Sequence, residues 1–269
     1  MRHIKTAFNF GITLWQKKRM IFELARLDFI TENSGTLLGV FWNYAHPLIF
    51  VIVLTLVFTL GLRQNPGQGV PFLIFLISGL IAWQFFSQTL NRLTGIIRSH
   101  AFLVKKGDFP LATLPLAKML SNLIPHLVLV AVSVIIAWVQ GFPPGLHTLQ
   151  IFYYLAGLLC LLLGLGWLTS AASLFMPDLS HFVDIITNFG FWITPVFWNV
   201  SLVPPKYLWL FKLNPACYFV TGYRNSLING TVFWESPFEA LCFWSIALSI
   251  LFLGASVFRR LKPHFGEVV

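Results

Sequence analysis

The sequence predicts an all-α integral membrane protein with six transmembrane helices, an N-terminal interfacial helix and a re-entrant outer segment between helices five and six. Of its 269 residues, 57% are hydrophobic and only 10% are charged, whereas soluble domains are about one quarter charged. Several apolar runs approach the roughly 20 residues that a helix needs to cross a bilayer. The alternating segments of about 10 residues that mark a membrane β-barrel do not occur.

The apolar runs and the basic residues together predict the topology. We place the six spans at about 37–60, 71–92, 119–140, 149–172, 180–198 and 238–258. Fourteen of the 18 Lys and Arg residues lie before span one, from the end of span two to span three, or after span six. Because basic residues concentrate on the cytoplasmic side, both termini are expected there. We therefore expect a cytoplasmic interface helix, a transmembrane domain and a cytoplasmic tail, over 1–35, 36–262 and 263–269.

Composition and motifs exclude several functions. The net charge is +9, but the basic residues are distributed as the topology requires and do not gather on one basic face. No nucleic-acid partner is therefore expected. Cys160, Cys217 and Cys242 lack paired spacing, which argues against a metal site and a disulfide framework. No P-loop motif occurs, so the chain has no nucleotide site of that kind. No carboxylate lies near a span centre, where ion-coupled carriers retain one. The energy source is therefore expected on another subunit.

Span two carries three polar residues on one helix face. Gln84, Gln88 and Asn91 are spaced at i, i+4 and i+7. They could line a conduit and exchange hydrogen bonds with a polar substrate. They could equally hold two helices together, because polar side chains in hydrocarbon seek other helices. The sequence leaves both interpretations open.

The stretch FWITPVFW predicts a helix break near the outer membrane surface. Pro195 removes a backbone donor and ends or bends span five, and Thr194 can supply a hydroxyl to the freed backbone. The following segment, about 199–237, is too apolar for a solvated loop and is interrupted by Pro, so we expect it to be re-entrant. The rings around the break and along this segment form either an aromatic belt or a ring-lined exit for the substrate: Trp192, Phe197, Trp198, Tyr207, Trp209, Tyr218 and Tyr223.

Several motifs, in this order, carry a family resemblance: LARLDFITENSGTLLGVFWNYAHPL, FLISGLIAWQFFSQTL, LVKKGDFPLATLPLAKML, FWITPVFW and LNPACYFVTGYRNSLING. They resemble the permease subunit of type-2 ABC exporters of bacterial surface polysaccharides, such as O-antigen, capsule and teichoic acid. The resemblance implies a homodimer of this chain, bound to two copies of a separate ABC ATPase that carries ATP and Mg²⁺. It implies export of a lipid-linked glycan across the bacterial inner (cytoplasmic) membrane, with no cofactor in this chain.

One position departs from the family pattern. The family usually has Arg-Asp after span four, whereas this chain has Pro177-Asp178. Any ion-pair role of that arginine therefore cannot be carried over. Asp178 remains as a candidate N-terminal cap of span five.

Two cytoplasmic segments are candidates for contact with the ATPase. By resemblance, the N-terminal helix contacts it through Glu23, Arg26 and Asp28; the alternative is a lipid-anchored helix without a partner. The loop between spans two and three offers a short helix with an apolar residue, Phe109 or Leu111, projecting into a groove of the ATPase. Its charges are Lys105, Lys106 and Asp108, and the alternative is that the lysines only set topology.

Two other functions remain open on the sequence. An ABC-2 exporter of small hydrophobic molecules would have the same composition, and only the motifs above argue against it. An integral membrane enzyme that modifies glycans would need an acid, base or nucleophile near the surface. The outer side offers only Glu235 and Glu239 as carboxylates. We therefore expect no catalytic residues.

Overall fold

The computed structural model describes residues 16–34, 39–61, 69–106 and 109–268, and every regular element in these ranges is helical. The longer helices are α1 (Lys18–Asn33), α2 (Phe41–Leu56, extended by a π-helical turn to Gly61), α3 (Phe72–Thr94), α6 (Thr113–Val139), α7 (Gln150–Phe175), α8 (Leu179–Ile193), α10 (Pro215–Arg224, extended by a π-helical turn to Asn229) and α11 (Pro237–Leu261). The short ones are α4 (Ile96–Ser99), α5 (Ala101–Lys105), α9 (Leu208–Leu213) and α12 (Phe265–Val268).

Five helical stretches in the described ranges are long and apolar enough to cross a membrane. They are Phe41–Gly61, Phe72–Thr94, Thr113–Val139, Leu146–Phe175 and Pro237–Val268. These stretches correspond to the predicted spans one to four and six. The predicted fifth span is not confirmed in this way. Its helix, α8, has 15 residues and is about 22 Å long, shorter than the roughly 30 Å of hydrocarbon.

The central helix of the bundle is α3. It packs against α2, α6, α7, α8 and α10. In its most apolar stretch of 18 residues, 72% of the residues are buried, compared with only 17% in the corresponding stretch of α2. Large apolar side chains on α2, such as Ile49 and Leu60, are exposed. Helix α2 therefore lies at the edge of the bundle.

Helices α7 and α11 are in direct backbone contact. A Cβ atom built on Gly254 of α11 would lie 2.0 Å from the carbonyl oxygen of Gly164 on α7. A Cβ atom on Gly164 would in turn lie 2.6 Å from the Cα atom of Leu251. The absence of side chains at both glycines is what allows this close approach.

Helix α1 packs against the start of α6 on the side where the first span begins. Its buried residues Ile21 and Ala25 contact Ala117. The Lys118 ammonium lies 3.0 Å from carboxylate oxygens of both Asp28 and Glu32. The predicted N-terminal helix is therefore present over the described residues, and it is attached to the bundle by ion pairs as well as apolar contacts.

A second, smaller core closes the end of the bundle near α4, α5 and α12. It joins Ile97, Leu111, Trp167, Phe258 and Phe265, among others. Phe265 has no exposed surface and contacts Phe258 edge to face at 5.5 Å. The segment from residue 262 to 268 therefore packs against the helices.

Candidate functional site

A groove of about 430 Å³ lies between α2, α3 and α8. No Lys, Arg, Asp or Glu side chain lines it in the described part of the chain. Its walls combine neutral polar groups with aromatic rings: His46, Gln84, Ser87, Gln88, Asn91, Thr187 and Asn188, together with Phe50, Trp83, Phe191 and Trp192. Amides that both donate and accept hydrogen bonds, next to flat apolar rings, suit a ligand with hydroxyl groups and apolar faces.

The three polar residues predicted on span two do share this groove, but they differ in role. Asn91 donates from Nδ2 to the Thr187 hydroxyl at 3.0 Å, so it ties α3 to α8. Gln88 is exposed. The Gln84 side chain is partly buried, and its Oε1 has no partner among the described residues. Asn91 therefore joins two helices, as one of the two interpretations predicted, whereas Gln84 and Gln88 line the groove and their role in a conduit stays a prediction.

A small polar cavity of about 40 Å³ adjoins the groove on the α6 side of α3. Gln84 and Gln88 line it too, together with Arg92, Asn122 and His126. Arg92 donates to Asn122 Oδ1 at 2.6 Å and pairs with Glu32 of α1 at 3.0 Å. The cavity is large enough for about one to three water molecules and has the polar partners they require. Polar groups therefore continue from α1 into the bundle.

An apolar crevice of about 470 Å³ lies on the opposite side of α8, between α3, α7 and the start of α10. Leu161, Leu165, Ile186, Phe189 and Phe219 belong to its lining. Trp83 and Thr187 line both the crevice and the groove. Because a Cβ atom on Gly190 would lie 2.7 Å from the Trp83 ring, the bare glycine lets α8 rest on that ring. A polar and an apolar cavity thus share one wall.

The predicted helix break is confirmed at the end of α8. The Thr194 amide still donates to the Gly190 carbonyl at 2.8 Å, but Thr194 has an extended backbone with ψ of 141°. The carbonyls of Pro195 and Val196 then accept from the guanidinium of Arg224, at 3.0 and 2.8 Å. The Thr194 hydroxyl was predicted to serve the freed backbone groups, whereas the donor to these two carbonyls is Arg224.

The predicted aromatic residues do not line a single surface. Trp192, Tyr207 and Trp209 are exposed, Trp192 contacts the Phe197 ring at 5.2 Å, and Trp198 donates to the Trp192 carbonyl at 3.2 Å. Three of the seven rings are thus exposed, Phe197 and Trp198 are half-buried, and among these five Trp192 is the one that lines the groove.

Tyr218 and Tyr223 correct the prediction of a ring-lined exit, because both are buried. The Tyr223 side chain is 1% exposed, and its hydroxyl lies 2.9 Å from His126 Nε2. The Tyr218 hydroxyl lies 3.1 Å from that of Tyr153, and its ring stacks on Phe243 at 4.7 Å. Helix α10 is enclosed by its neighbours on both faces, which the sequence pattern alone does not reveal.

The residues predicted to contact an ATPase fall into exposed and internal groups. Glu23 and Arg26 are exposed and face each other at 4.0 Å, and Lys105 and Lys106 are exposed at the end of α5. Asp28 is directed inward, towards Lys118. Asp108 lies outside the described residues.

Neither Phe109 nor Leu111, in the loop before α6, projects as predicted. Leu111 is 5% exposed, and Phe109 packs partly against the same small core. A turn at Pro110, in which Thr113 donates to the Pro110 carbonyl at 2.8 Å, folds Leu111 inward. The exposed apolar side chain of this region is Phe102 on α5, at 59%.

Comparison with known proteins agrees with this architecture. The model of the family described as ABC-2 type transporter matches residues 24–228. An O-antigen export system permease protein of Klebsiella pneumoniae is 29% identical over 99% of both chains. One from Myxococcus xanthus is 24% identical over 95% of this chain and 97% of that protein. A polysialic acid transport protein of Escherichia coli is 22% identical over 82% of this chain and 85% of its own.

Proposed function

The chain belongs to the ABC-2 type transporter family, and from this premise we propose that it is the membrane subunit of an ATP-driven exporter of a lipid-linked polysaccharide. Its relatives named above are permeases for O-antigen and a transport protein for polysialic acid, both of them polysaccharides. The export route runs from the cytoplasmic side, across the membrane, to the outside.

The observation that carries the proposal is the pairing of the groove and the crevice across the shared wall of Trp83 and Thr187. A lipid-linked glycan is an amphiphile, with hydroxyl-rich sugars joined to a hydrocarbon chain. The groove offers amides and rings to the sugars, while the crevice offers an apolar lining to hydrocarbon. The uncharged groove wall favours passage of many sugar units without tight binding to any one of them.

The energy comes from a separate ABC ATPase, in two copies, which binds ATP and Mg²⁺. Two exposed features near the same end of the bundle support this contact. Helix α1 exposes Glu23, Arg26 and Phe22, and α5 exposes Phe102 and Lys105. An exposed aromatic residue beside charged groups is typical of a protein interface. This chain supplies no catalytic residue and no cofactor of its own.

We further infer a six-pass topology in the bacterial inner membrane, with both termini in the cytoplasm. In this arrangement α8 crosses most of the bilayer, and α9 and α10 form the re-entrant outer segment. Burial of α10 among α3, α7 and α11 supports this, since irregular backbone at membrane depth requires protein around it. A homodimer in which the exposed apolar faces of α2 and α8 meet a second copy would enclose the groove.

The first test captures the substrate in the groove. A photoreactive benzoylphenylalanine replaces Gln88, and membranes of the native host carrying the ATPase are irradiated. The expected adduct stains for sugar and carries hydrocarbon by mass spectrometry. The control places the same probe at Phe152, which is exposed on α7 and outside both cavities. Equal capture at both positions, or a sugar-free small molecule at Gln88, would reject the proposal; the latter would favour an exporter of hydrophobic compounds.

The second test concerns the energy source. The purified chain is expected to show no ATP hydrolysis, whereas the complex with its ATPase hydrolyses ATP and exports glycan from inverted vesicles. Hydrolysis by the chain alone, at a rate comparable to that of the complex, would contradict the assignment.

A further inference from the structure

Arg224, the last residue of α10, has a buried guanidinium group that donates hydrogen bonds to backbone carbonyl groups. Its side chain is 5% exposed. Nη2 donates to the carbonyls of Pro195 and Val196 at 3.0 and 2.8 Å, with a longer contact of 3.5 Å to that of Phe75. The guanidinium also lies 3.8 Å from the centre of the Phe75 ring. No carboxylate pairs with it in the described part of the chain. Because burying a charge is costly, such a residue in a membrane protein calls for a functional explanation.

The guanidinium connects three elements at one point. The carbonyls of Pro195 and Val196 follow the break after α8, where the helix no longer provides amide donors. Phe75 belongs to α3, and Arg224 itself to α10. Elsewhere, α3 and α8 are joined by the hydrogen bond between Asn91 and Thr187. One planar group with several donors therefore holds the broken end of α8 against both neighbours.

Gly79 on α3 makes room for this contact. A Cβ atom built there would lie 2.8 Å from Arg224 Nη2, 3.1 Å from the Val196 carbonyl oxygen and 3.2 Å from Val220 Cγ1. The first distance is shorter than real Cβ contacts allow. The glycine is thus matched to the guanidinium across the helix interface.

The position of the break also sets one wall of the groove. Directly after Val196, the ring of Phe197 packs on Phe191 at 5.5 Å and on Trp192 at 5.2 Å. Phe191 and Trp192 both line the groove. A shift of the Val196 backbone would therefore move Phe197 and release the two rings it supports.

We propose that Arg224 is a positioning residue for the groove: it fixes the break after α8 so that Phe197 holds Phe191 and Trp192 in the groove wall. Arg224 acts through the backbone and does not touch the substrate. Its importance for export rests on the proposed function, whereas its effect on the position of Phe197 does not.

The structural test measures the position of residue 197 without any transport. Phe197→Cys is made in a chain whose Cys160, Cys217 and Cys242 are replaced by Ser, and its labelling by a maleimide is timed in membranes. Arg224→Met is expected to raise the labelling rate at least threefold. Arg224→Lys is expected to give an intermediate rise, because a single ammonium cannot reproduce the planar array of donors. The matched control is Arg98→Met, which removes a guanidinium that donates to the Ser173 carbonyl at 2.8 Å, and it should leave the rate unchanged.

The functional test uses the pair formed by Gly79 and Arg224. Gly79→Ala and Arg224→Met should each lower surface polysaccharide at least threefold at matched protein level and with the ATPase still bound. The double variant should export no less polysaccharide than the single variant with the lower export. The reason is that Arg224→Met introduces a shorter side chain and vacates the space that the methyl group of Gly79→Ala needs. Multiplied losses in the double variant, or an unchanged labelling rate in Arg224→Met, would overturn the proposal. Altered labelling with no polysaccharide exported by the wild type would instead reject the proposed function alone.

Discussion

Helices α7 and α11 are held together backbone to backbone, whereas α2 and α8 contact the rest of the bundle through few side chains and expose much of their length. Gly164 on α7 and Gly254 on α11 have no side chains, so the two helix backbones lie in direct contact. In α8, Gly190 instead rests on a side chain, the Trp83 ring, and the helix ends after 15 residues. The groove and the crevice both lie beside α8.

The molecule therefore has a tightly packed part, formed by α7 and α11, and a more loosely packed part beside α8, which contains the cavities. Substitutions between α7 and α11 should change the free energy of unfolding, because no space is left to accommodate them. Substitutions on the groove side should change export at nearly constant stability. Four substitutions test this separation, with effects on stability that decrease from the first to the last.

The largest loss is expected for Gly254→Ala. The new methyl group would lie 2.0 Å from the Gly164 carbonyl oxygen, so the two helices must separate. Overpacking of this kind costs about 1–3 kcal/mol. The measurement is the unfolding temperature in detergent together with the amount of protein in the membrane. Gly95→Ala is the control, because a Cβ atom there meets nothing within 4 Å. Similar stability of the two variants would show that α7 and α11 are not rigidly joined.

A second loss is expected where α1 is attached. Lys118→Met leaves the carboxylate of Asp28 without its cation and removes one of the two cations that pair with Glu32, which keeps Arg92. The Lys118 side chain is 11% exposed and that of Glu32 33% exposed. Allowing for this partial exposure, we expect a cost of about 1–2 kcal/mol and faster proteolysis of α1. The control is Arg26→Met, whose ion pair is 4.0 Å long and exposed. It should leave proteolysis unchanged but weaken co-purification with the ATPase if α1 is the contact helix. Equal proteolysis of both variants would contradict the internal role of Lys118.

Tyr223→Phe should destabilise the protein by about 1 kcal/mol, because it removes one partner of the buried hydrogen bond to His126. Tyr207→Phe, at a side chain that is 48% exposed, is the matched control and should not shift the unfolding temperature. This pair also tests the ring-lined exit. A loss of export without a loss of stability in Tyr223→Phe would support a role in the exit that its burial argues against.

The smallest effect on stability, under about 0.5 kcal/mol, is expected for Trp192→Leu, because the ring is 58% exposed. Export should nevertheless fall several-fold, since the ring lines the groove. Ile185→Ala provides the control, as a 52% exposed residue on α8 that lines neither the groove nor the crevice. Normal export in Trp192→Leu would leave this ring with a role in the membrane interface only.

The sequence predicted those features that depend on local pattern. Apolar length located the five long helices, the spacing of Gln84, Gln88 and Asn91 placed them on one face of α3, and Pro195 ended α8 where expected. The predicted fifth span was not confirmed, because the apolar run of 180–198 includes residues beyond the break and therefore overstates the helix.

Features that depend on tertiary contacts could not be predicted from the same patterns. The burial of Leu111, the enclosure of Tyr223 and the inward pairing of Asp28 each depend on helices far away in sequence. The burial of Arg224 was also not predicted, although the sequence carries a sign of it. An arginine in an apolar segment without a nearby carboxylate is itself a signal of burial.

The buried position of Phe265 has a consequence for how the protein is made. The small core at this end joins Ile97, Leu111, Trp167 and Phe258 from separate parts of the chain, and Phe265 completes it. During synthesis, the apolar surfaces of the earlier residues stay uncovered until residue 265 has left the ribosome. This core can therefore close only after all the segments that contribute to it have been synthesised.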